Sequence, residues 1–135
     1  MRGKIFDTNK LIKQWRQSRK RPLVDYSKAD AESWAKELIE IYKTNFILTP
    51  VYLEVVGGVV DRHEMELIKA FLNVFLILDE GRIKPEDWTK ARQLAERISI
   101  GSRPRGAIDC LIKAIAIRLR CDILTDDGGM PRHLS

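Results

Sequence analysis

The stretch GAIDCLIKAIAIRLRCDILTDD (residues 106–127) joins two elements that decide the fold. Its first part, Ala107–Leu119, is the most apolar segment of helical pattern in the chain, which predicts a buried helix. Asp122–Thr125 then predicts a short strand, and Asp126 and Asp127 follow it directly in a turn. A buried helix that leads at once into an apolar strand is typical of an α/β fold.

Three further apolar runs predict strands, and helical patterns lie between them. The strands are almost wholly apolar, as in parallel sheets covered on both faces, and they alternate with helices. This pattern predicts a three-layer α/β/α sandwich around a central parallel sheet. Residues 1–135 are predicted to form this single domain. In such sheets ligands bind beyond the carboxyl ends of the strands, so we expect the chemistry on residues that follow a strand. The further predicted strands are Lys4–Phe6, Phe46–Leu48 and Val74–Leu78, and the further predicted helices are a segment from about Asn9, Ala31–Lys43, Pro50 to about Gly57, Asp61–Leu72 and a segment from Pro85.

Local signals set several boundaries. Thr49 is predicted as an N-cap, with Pro50 at the first helical position. The basic segment Arg16–Lys28, which contains Pro22, is predicted as an exposed connection, either irregular or partly helical. The inward face of the helix that begins at Pro85 is predicted to carry Trp88, Ala91, Leu94, Ala95 and Ile98.

The composition indicates a single globular domain. Of the 135 residues, 44% are hydrophobic and 32% charged, which fits a soluble protein with a real core. No apolar run approaches the roughly 20 residues of a membrane span, and no signal peptide is expected at the N-terminus. The two cysteines, Cys110 and Cys121, lie in apolar segments, so neither a disulfide framework nor a zinc site is predicted, and a reducing cytoplasm is the expected compartment.

The net charge of +5 favours a polyanionic partner. A charged face that only interacts with water explains the same residues about equally well. The basic residues form two groups in the sequence: Lys10, Lys13, Arg16, Arg19, Lys20 and Arg21 near the N-terminus, and Arg103 with Arg105.

Acidic residues occupy the positions where this fold places chemistry, and each also has an ordinary structural explanation. Asp7 directly follows the first strand and is suited to cap the next helix. Glu54 is compatible with the wet side of its helix, and Asp109 with a favourable interaction with its helix dipole. Asp126 and Asp127 fit a simple turn.

Taken together, the acids favour a metal site. Glu54 and Asp109 are flanked on both sides by apolar residues in helices predicted to be largely covered, and carboxylates are rarely buried without a partner. A cluster of carboxylates repels itself unless shared protons, a basic partner such as Lys113 or a bound cation offsets the charge. Oxygen ligands without His or Cys favour Mg²⁺ or Mn²⁺ over zinc.

Four segments in order carry a recognisable pattern. They are Ile5–Ile12 with the first acid, Thr49–Val55 with the second, Gly106–Ala116 with the third and Ile123–Asp127 with the last. Over nearly its whole length the chain thereby resembles the PIN-domain nucleases, and within them the VapC-type toxins of prokaryotic toxin–antitoxin pairs. The Thr-x-Asp ending of the last segment favours Asp127 as the site acid, with Asp126 as the alternative or as a neighbour that supports it.

The resemblance implies a metal-dependent endoribonuclease that hydrolyses RNA, often forms a homodimer and is held inactive by a small antitoxin protein. Asp7 and Asp109 are then the expected main ligands of Mg²⁺ or Mn²⁺, and Glu54 and Asp127 complete the site directly or through water. Such a cation polarises the scissile phosphate, activates water and stabilises the leaving oxygen. The expected supporting residues are Thr8, Asn9 and Thr125, which bond the carboxylates or the substrate, and Lys10, Lys13, Arg103 and Arg105, which bind flanking phosphates.

The chain departs from the family pattern in two places. The connection Arg16–Asp30 is longer than usual, and the tail Gly128–Ser135 replaces the usual continuation, which leaves open whether the final edge strand is present. A catalytically silent PIN-like module that binds RNA or protein is the alternative function. Phosphatases with an Asp-x-Asp pair are disfavoured because Asn9 stands where the second Asp is needed, and receiver domains are disfavoured because they need an acidic pair after the first strand.

Overall fold

The structure is a computed structural model that describes residues 3–97 and 106–125. Within these residues, four strands alternate with six α-helices and one short 3-10 helix. The strands are β1 (Gly3–Phe6), β2 (Phe46–Ile47), β3 (Leu76–Ile77) and β4 (Cys121–Leu124). The helices are α1 (Thr8–Ser18), α2 (Lys28–Tyr42), α3 (Thr49–Gly57), α4 (Arg62–Leu72), α5 (Pro85–Glu96) and α6 (Ala107–Leu119), and the 3-10 helix is Leu23–Asp25.

The strands form one parallel sheet in the order β3-β2-β1-β4. Ile5 pairs with Phe46 on one side of β1, and Phe6 pairs with Leu124 on the other. The fold is therefore a PIN-like three-layer α/β/α sandwich, and the predicted fold class is confirmed. The position of the predicted final edge strand lies outside the described residues.

The central strand β1 is anchored in the core. Ile5 and Phe6 are completely buried, and Phe6 makes edge-to-face contacts with Tyr42 and Phe75. Around the sheet, α5 packs on α6 and α2 packs on α4. Burial of this kind is the main favourable term in folding, so the residue that follows β1 emerges from a strand that is packed into the core.

Two predicted boundaries are wrong in detail. The N-cap of α3 is Leu48 rather than Thr49, which is the first helical residue and is followed by Pro50. The second helix, α2, begins at Lys28 rather than at Ala31, and the basic connection is partly helical, because α1 continues to Ser18. The capping box that Ser27 forms with Asp30 starts α2 at this earlier point.

The predicted inward face of α5 is also partly wrong. Trp88 is 55% exposed and Ala95 is exposed, whereas Ala91 and Leu94 are buried as predicted. The buried residue in the first turn is instead Asp87, whose partner is an arginine on α6. The side of α5 that carries Asp87 therefore faces α6. Ile98 lies outside the described residues.

Burial differs among the strands. Leu76 and Ile77 of β3 are exposed, so the expectation that the apolar strands are covered on both faces fails at this edge of the sheet. Cys110 and Cys121 are both buried, in keeping with the apolar segments in which they lie. In residues 3–97 and 106–125, no helix combines the length and apolarity required to cross a membrane.

Candidate active site

Asp7 is positioned by the end of the central strand. Its backbone amide donates to the carbonyl oxygen of Leu124 at 3.1 Å, which continues the β1–β4 ladder by one bond. Its side chain is the N-cap of α1, because Oδ1 accepts from the amide of Lys10 at 2.9 Å. The capping role considered for Asp7 is therefore real, and it orients the carboxylate at the carboxyl edge of the sheet.

Glu54 is tied to the same edge through Thr8. The Thr8 hydroxyl, on the first residue of α1, donates to Glu54 Oε1 at 2.5 Å. The bond joins α1 to α3 directly beside Asp7. Glu54 is exposed rather than covered, since Val51 and Val55 form the buried stripe of α3 and the intervening Leu53 and Glu54 point to solvent.

Asp109 lies in the first turn of α6 and has a basic partner one turn later. The Lys113 ammonium is 3.0 Å from Asp109 Oδ2, and the lysine side chain is 16% exposed against 49% for the aspartate. The predicted partnership with Lys113 is confirmed. The expected burial is wrong in degree, because Asp109 is half-exposed and it is the lysine that is the more covered partner.

The connection between α6 and β4 brings Asp109 to the carboxyl edge. α6 ends at Leu119, Arg120 adopts the left-handed conformation with φ of 56°, and β4 starts at Cys121. Such a tight reversal makes the strand return antiparallel to the helix, so the N-terminus of α6 lies toward the carboxyl end of β4. α6 also packs against α3, the helix that carries Glu54.

The fourth acid and part of the basic set lie outside the described residues. Thr125 directly follows β4. Of the remaining predicted residues, Thr8 bonds Glu54, and Asn9 and Lys13 are exposed on α1. The predicted site residues outside the described ranges are Asp126, Asp127, Arg103 and Arg105.

Lys10 does not fit its predicted role at a phosphate. It is only 9% exposed, and its ammonium lies 4.3 Å from the centre of the Tyr42 ring. A cation over an aromatic face is stabilised by the ring quadrupole, and the aliphatic stem packs in the core. Lys10 therefore connects α1 to α2 through the Tyr42 ring, and little of its side chain is accessible to a phosphate.

The donor chemistry of the three described acids fits a hard divalent cation. They supply only carboxylate oxygens, which suit Mg²⁺ or Mn²⁺, and Glu54 and Asp109 are open to solvent. Across the described part of the chain, no three His, Cys, Asp or Glu residues lie close enough together to hold a metal ion. Asp7 follows β1, Glu54 bonds Thr8 beside it, and Asp109 lies in the first turn of α6, so the three acids lie on elements that reach the carboxyl edge of the sheet.

A further acid at the sheet edge, Asp79, is not among the residues predicted from the sequence. It directly follows Leu78 at the end of β3 and is 5% exposed. Its Oδ1 accepts from the Thr49 hydroxyl at 2.8 Å and from the Thr49 amide at 3.1 Å, so it caps α3 from another strand. The expectation that functional residues follow a strand also includes Asp79, because it comes directly after the apolar run Val74–Leu78.

Asp87 and Arg118 form a buried ion pair between α5 and α6. Arg118 Nε and Nη2 donate to the two carboxylate oxygens at 2.7 and 2.9 Å, and the Lys84 amide donates to Oδ2 at 2.9 Å. Burial acts to raise the pKa of Asp87, but the hydrogen bonds from Arg118 and Lys84 outweigh it and hold that pKa below its usual range. The same contact raises the pKa of Arg118.

The architecture and the edge acids together define a nuclease-type α/β domain. A model of the PIN domain family matches residues 5–133, nearly the whole chain. The chain belongs to the PIN domain family, whose members are generally nucleases that use divalent metals. No curated protein and no solved structure matches the chain significantly.

Proposed function

We propose that the chain is a metal-dependent endoribonuclease of the VapC type, the toxin of a toxin–antitoxin pair. One observation carries the proposal. Asp7 directly follows β1, Glu54 bonds Thr8 beside it, and Asp109 lies in the first turn of α6, in a chain that belongs to the PIN domain family. Ligands of parallel α/β sheets bind at the carboxyl edge.

In this proposal Asp7 and Asp109 are the main ligands of Mg²⁺ or Mn²⁺, and Glu54 and Asp127 complete the set. When bound, the cation polarises the scissile phosphate and stabilises charge on the leaving oxygen. The chain's own residues keep the acids in place. Lys113 offsets the charge of Asp109, which limits repulsion among the carboxylates before a cation binds.

Supporting contacts orient two of the acids, Asp7 and Glu54. Thr8 holds the Glu54 carboxylate, and the N-cap bond from the Lys10 amide orients Asp7. Asp79 fastens the first residue of α3, so the helix that carries Glu54 starts from a defined position. Positioning of this kind matters because a displaced ligand weakens both metal affinity and rate.

A catalytically silent PIN-like binding module is the second candidate, favoured by a specific observation. Each of the three acids already has a protein partner, and no group of three acids is preassembled within the described residues. The two functions separate in a thermal melt. A nuclease that binds its cation in the native state gains stability on addition of Mg²⁺ or Mn²⁺, whereas a silent module does not.

The test of the proposed activity is cleavage of single-stranded RNA. The wild-type chain is expected to cut with Mg²⁺ or Mn²⁺, to stop on addition of EDTA and to resume when the metal is restored. Glu54→Gln keeps an oxygen that accepts from Thr8 but removes the charge, so we expect it to lower the rate. Glu96→Gln, on the exposed last turn of α5, is the matched control and should cut as the wild type does. Cleavage that persists in EDTA would contradict the proposal.

The partners follow from the same proposal. We propose a small antitoxin protein that suppresses the nuclease, and a homodimer as the assembly state. Co-expression with the product of the gene immediately upstream should yield a stable complex with reduced RNA cleavage. If the chain purifies alone after co-expression with that gene product, and its activity is unchanged, a solitary nuclease is favoured.

A further inference from the structure

Lys113 on α6 has a largely covered side chain whose ammonium lies at a candidate metal ligand. The ammonium is 3.0 Å from Asp109 Oδ2, and the lysine side chain is 16% exposed. A surface pair of the same domain differs in this respect, because Lys43 and Glu40 approach to 2.6 Å with side chains that are 72% and 79% exposed. Exposed pairs of that kind contribute little to stability. The Asp109–Lys113 pair therefore needs another explanation than an ordinary surface contact.

The cover over Lys113 makes the pair a lasting feature of the site. Lysine side chains commonly bury the aliphatic stem and keep the ammonium in water. Since most of the Lys113 side chain is covered, its charge depends on the Asp109 carboxylate for compensation. Breaking a covered ion pair leaves an uncompensated charge, which costs more than the loss of an exposed pair. We therefore expect the ammonium to stay at Asp109 when a divalent cation approaches.

The partners of the other two described acids are neutral. Glu54 Oε1 accepts from the Thr8 hydroxyl, and Asp7 Oδ1 accepts from the backbone amide of Lys10. A neutral donor occupies one lone-pair direction of a carboxylate and leaves its remaining acceptor capacity for a metal. The ammonium of Lys113 also carries a positive charge, which repels a cation. Asp109 is thus the described acid at which metal binding meets a competing charge.

We propose that Lys113 competes with the divalent ion for Asp109 and restricts the candidate site to one such ion. The inference rests on the proposed function and specifies its metal count. In two-metal sites the ions lie about 3.5–4 Å apart, and a carboxylate between them gives one oxygen to each. Asp109 cannot bridge two ions in this way while its Oδ2 is held by an ammonium. Lys113 is therefore a positioning residue, which leaves Oδ1 of Asp109 for the single metal.

Three variants separate the charge of Lys113 from its packing. Lys113→Met keeps an unbranched apolar stem and removes the charge, whereas Lys113→Arg keeps the charge. Asp109 is half-exposed, so water can hydrate its carboxylate after the ammonium is gone. Lys43→Met is the matched control, because it breaks the exposed pair with Glu40 on α2 by the same substitution.

The experiment counts bound Mn²⁺ by electron paramagnetic resonance, in the absence of RNA and at low ionic strength. We expect the wild-type chain to bind one Mn²⁺. Lys113→Met should bind Mn²⁺ roughly tenfold more tightly and should take up a second ion, because repulsion between an ammonium and a divalent ion across one carboxylate is worth at least about that factor even with the screening of water. Lys113→Arg should bind a single ion, and Lys43→Met should behave as the wild type.

Several results would overturn the inference. They are a wild-type chain that binds two ions, a Lys113→Met variant with wild-type affinity and count, and an equal gain in Lys43→Met. A lower Tm in Lys113→Met with unchanged Mn²⁺ binding would make Lys113 only a stabilising residue of α6, and the inference would be wrong. If Lys113→Met fails to fold, Lys113→Gln takes its place, because its amide still donates to Asp109 but carries no charge. The same gain in affinity and count is then expected, and its absence would again contradict the inference.

The Mn²⁺ count also distinguishes this inference from the proposed nuclease activity. If the wild-type chain cleaves RNA with Mn²⁺ but the Lys113 variants bind the ion as it does, only the inference about Lys113 fails. If the counts change as predicted but the wild-type chain cleaves no RNA, only the nuclease proposal fails. A wild-type chain that binds no Mn²⁺ would overturn both.

Discussion

Arg118→Met should destabilise the fold strongly, because it leaves the Asp87 carboxylate buried without its counter-charge. Asp87 is 1% exposed and receives two hydrogen bonds from Arg118, at 2.7 and 2.9 Å. Only the bond from the Lys84 amide would remain. Methionine fills a similar volume, so the effect reports the lost charge and hydrogen bonds rather than a cavity.

The expected loss in the free energy of unfolding is at the low end of the range for a buried ion pair. Removing one partner of a buried ion pair costs about 3–5 kcal/mol. The Arg118 side chain is 21% exposed, so water can reach part of the pair, and we expect about 3 kcal/mol. For a domain of this size that corresponds to roughly 10 °C in Tm.

The pH dependence supplies an internal check. The pKa of folded Asp87 lies below its usual range, so its contribution to stability is present above the unfolded pKa of about 3.9 and is lost as pH falls through the folded value. Without Arg118, burial is the main influence on Asp87 and raises its pKa. The carboxylate of the variant therefore becomes protonated at a higher pH, which removes the cost of its buried charge. The stability gap between wild type and Arg118→Met should therefore be full at neutral pH and should shrink in acid.

Urea unfolding followed by circular dichroism measures the free energy of unfolding at each pH. Arg92→Met, on an exposed position of α5, is the control and should change stability by less than about 0.5 kcal/mol. Adding Asp87→Asn to Arg118→Met should recover part of the loss, because the buried charge is then gone. A loss below about 1 kcal/mol, or a gap that stays constant into acid, would refute the role assigned to the pair.

Three further predictions concern the site. Asp79→Ala removes the cap of α3 and should lower stability by about 1–2 kcal/mol in urea unfolding, and RNA cleavage should fall because the helix that carries Glu54 loses its anchor. Lys13→Ala should reduce the salt slope of RNA binding by about one unit in a titration with KCl, whereas Lys10→Met should leave that slope unchanged because Lys10 is buried. Thr8→Val should lower the cleavage rate with little change in Tm, since it removes only the bond to Glu54.

Much of the fold was predictable because its signals are local. Short apolar runs, each followed by a cap or turn residue, marked the strands, and the spacing within α6 marked the buried helix. Asp7 caps the amide of Lys10, three residues later, and Asp109 pairs with Lys113, four residues later. Contacts at this spacing within one helix can be predicted from the sequence. Such contacts depend on the helix itself and on little else.

The features that the sequence did not predict depend on contacts between elements that are far apart in the chain. Asp87 looks like an outward polar residue until Arg118, 31 positions later, is placed against it. Asp79 caps a helix that begins 30 positions earlier, and Lys10 is buried because Tyr42 on another helix offers its ring. Tertiary context overrode the local pattern in each case, as it also did for exposed Trp88.

The exposure of Glu54 and Asp109 differs from the burial that their sequence surroundings predict. Flanking apolar residues suggested that Glu54 and Asp109 are covered, but a helix turns by about 100° per residue, so neighbours in sequence face different directions. Val55 is buried while the adjacent Glu54 is exposed. Exposure of Glu54 leaves it accessible to a cation and to substrate.

The central claim is that Asp7 and Asp109 support metal-dependent cleavage of RNA. The most direct measurement compares single-turnover cleavage of single-stranded RNA by wild type, Asp7→Asn and Asp109→Asn with Mg²⁺ and with Mn²⁺. Asparagine caps α1 as well as aspartate does, so Asp7→Asn should keep the fold while it removes the ligand charge. We predict a loss of roughly 100-fold or more in each folded variant. Wild-type rates in both variants, with their circular dichroism unchanged, would contradict the claim.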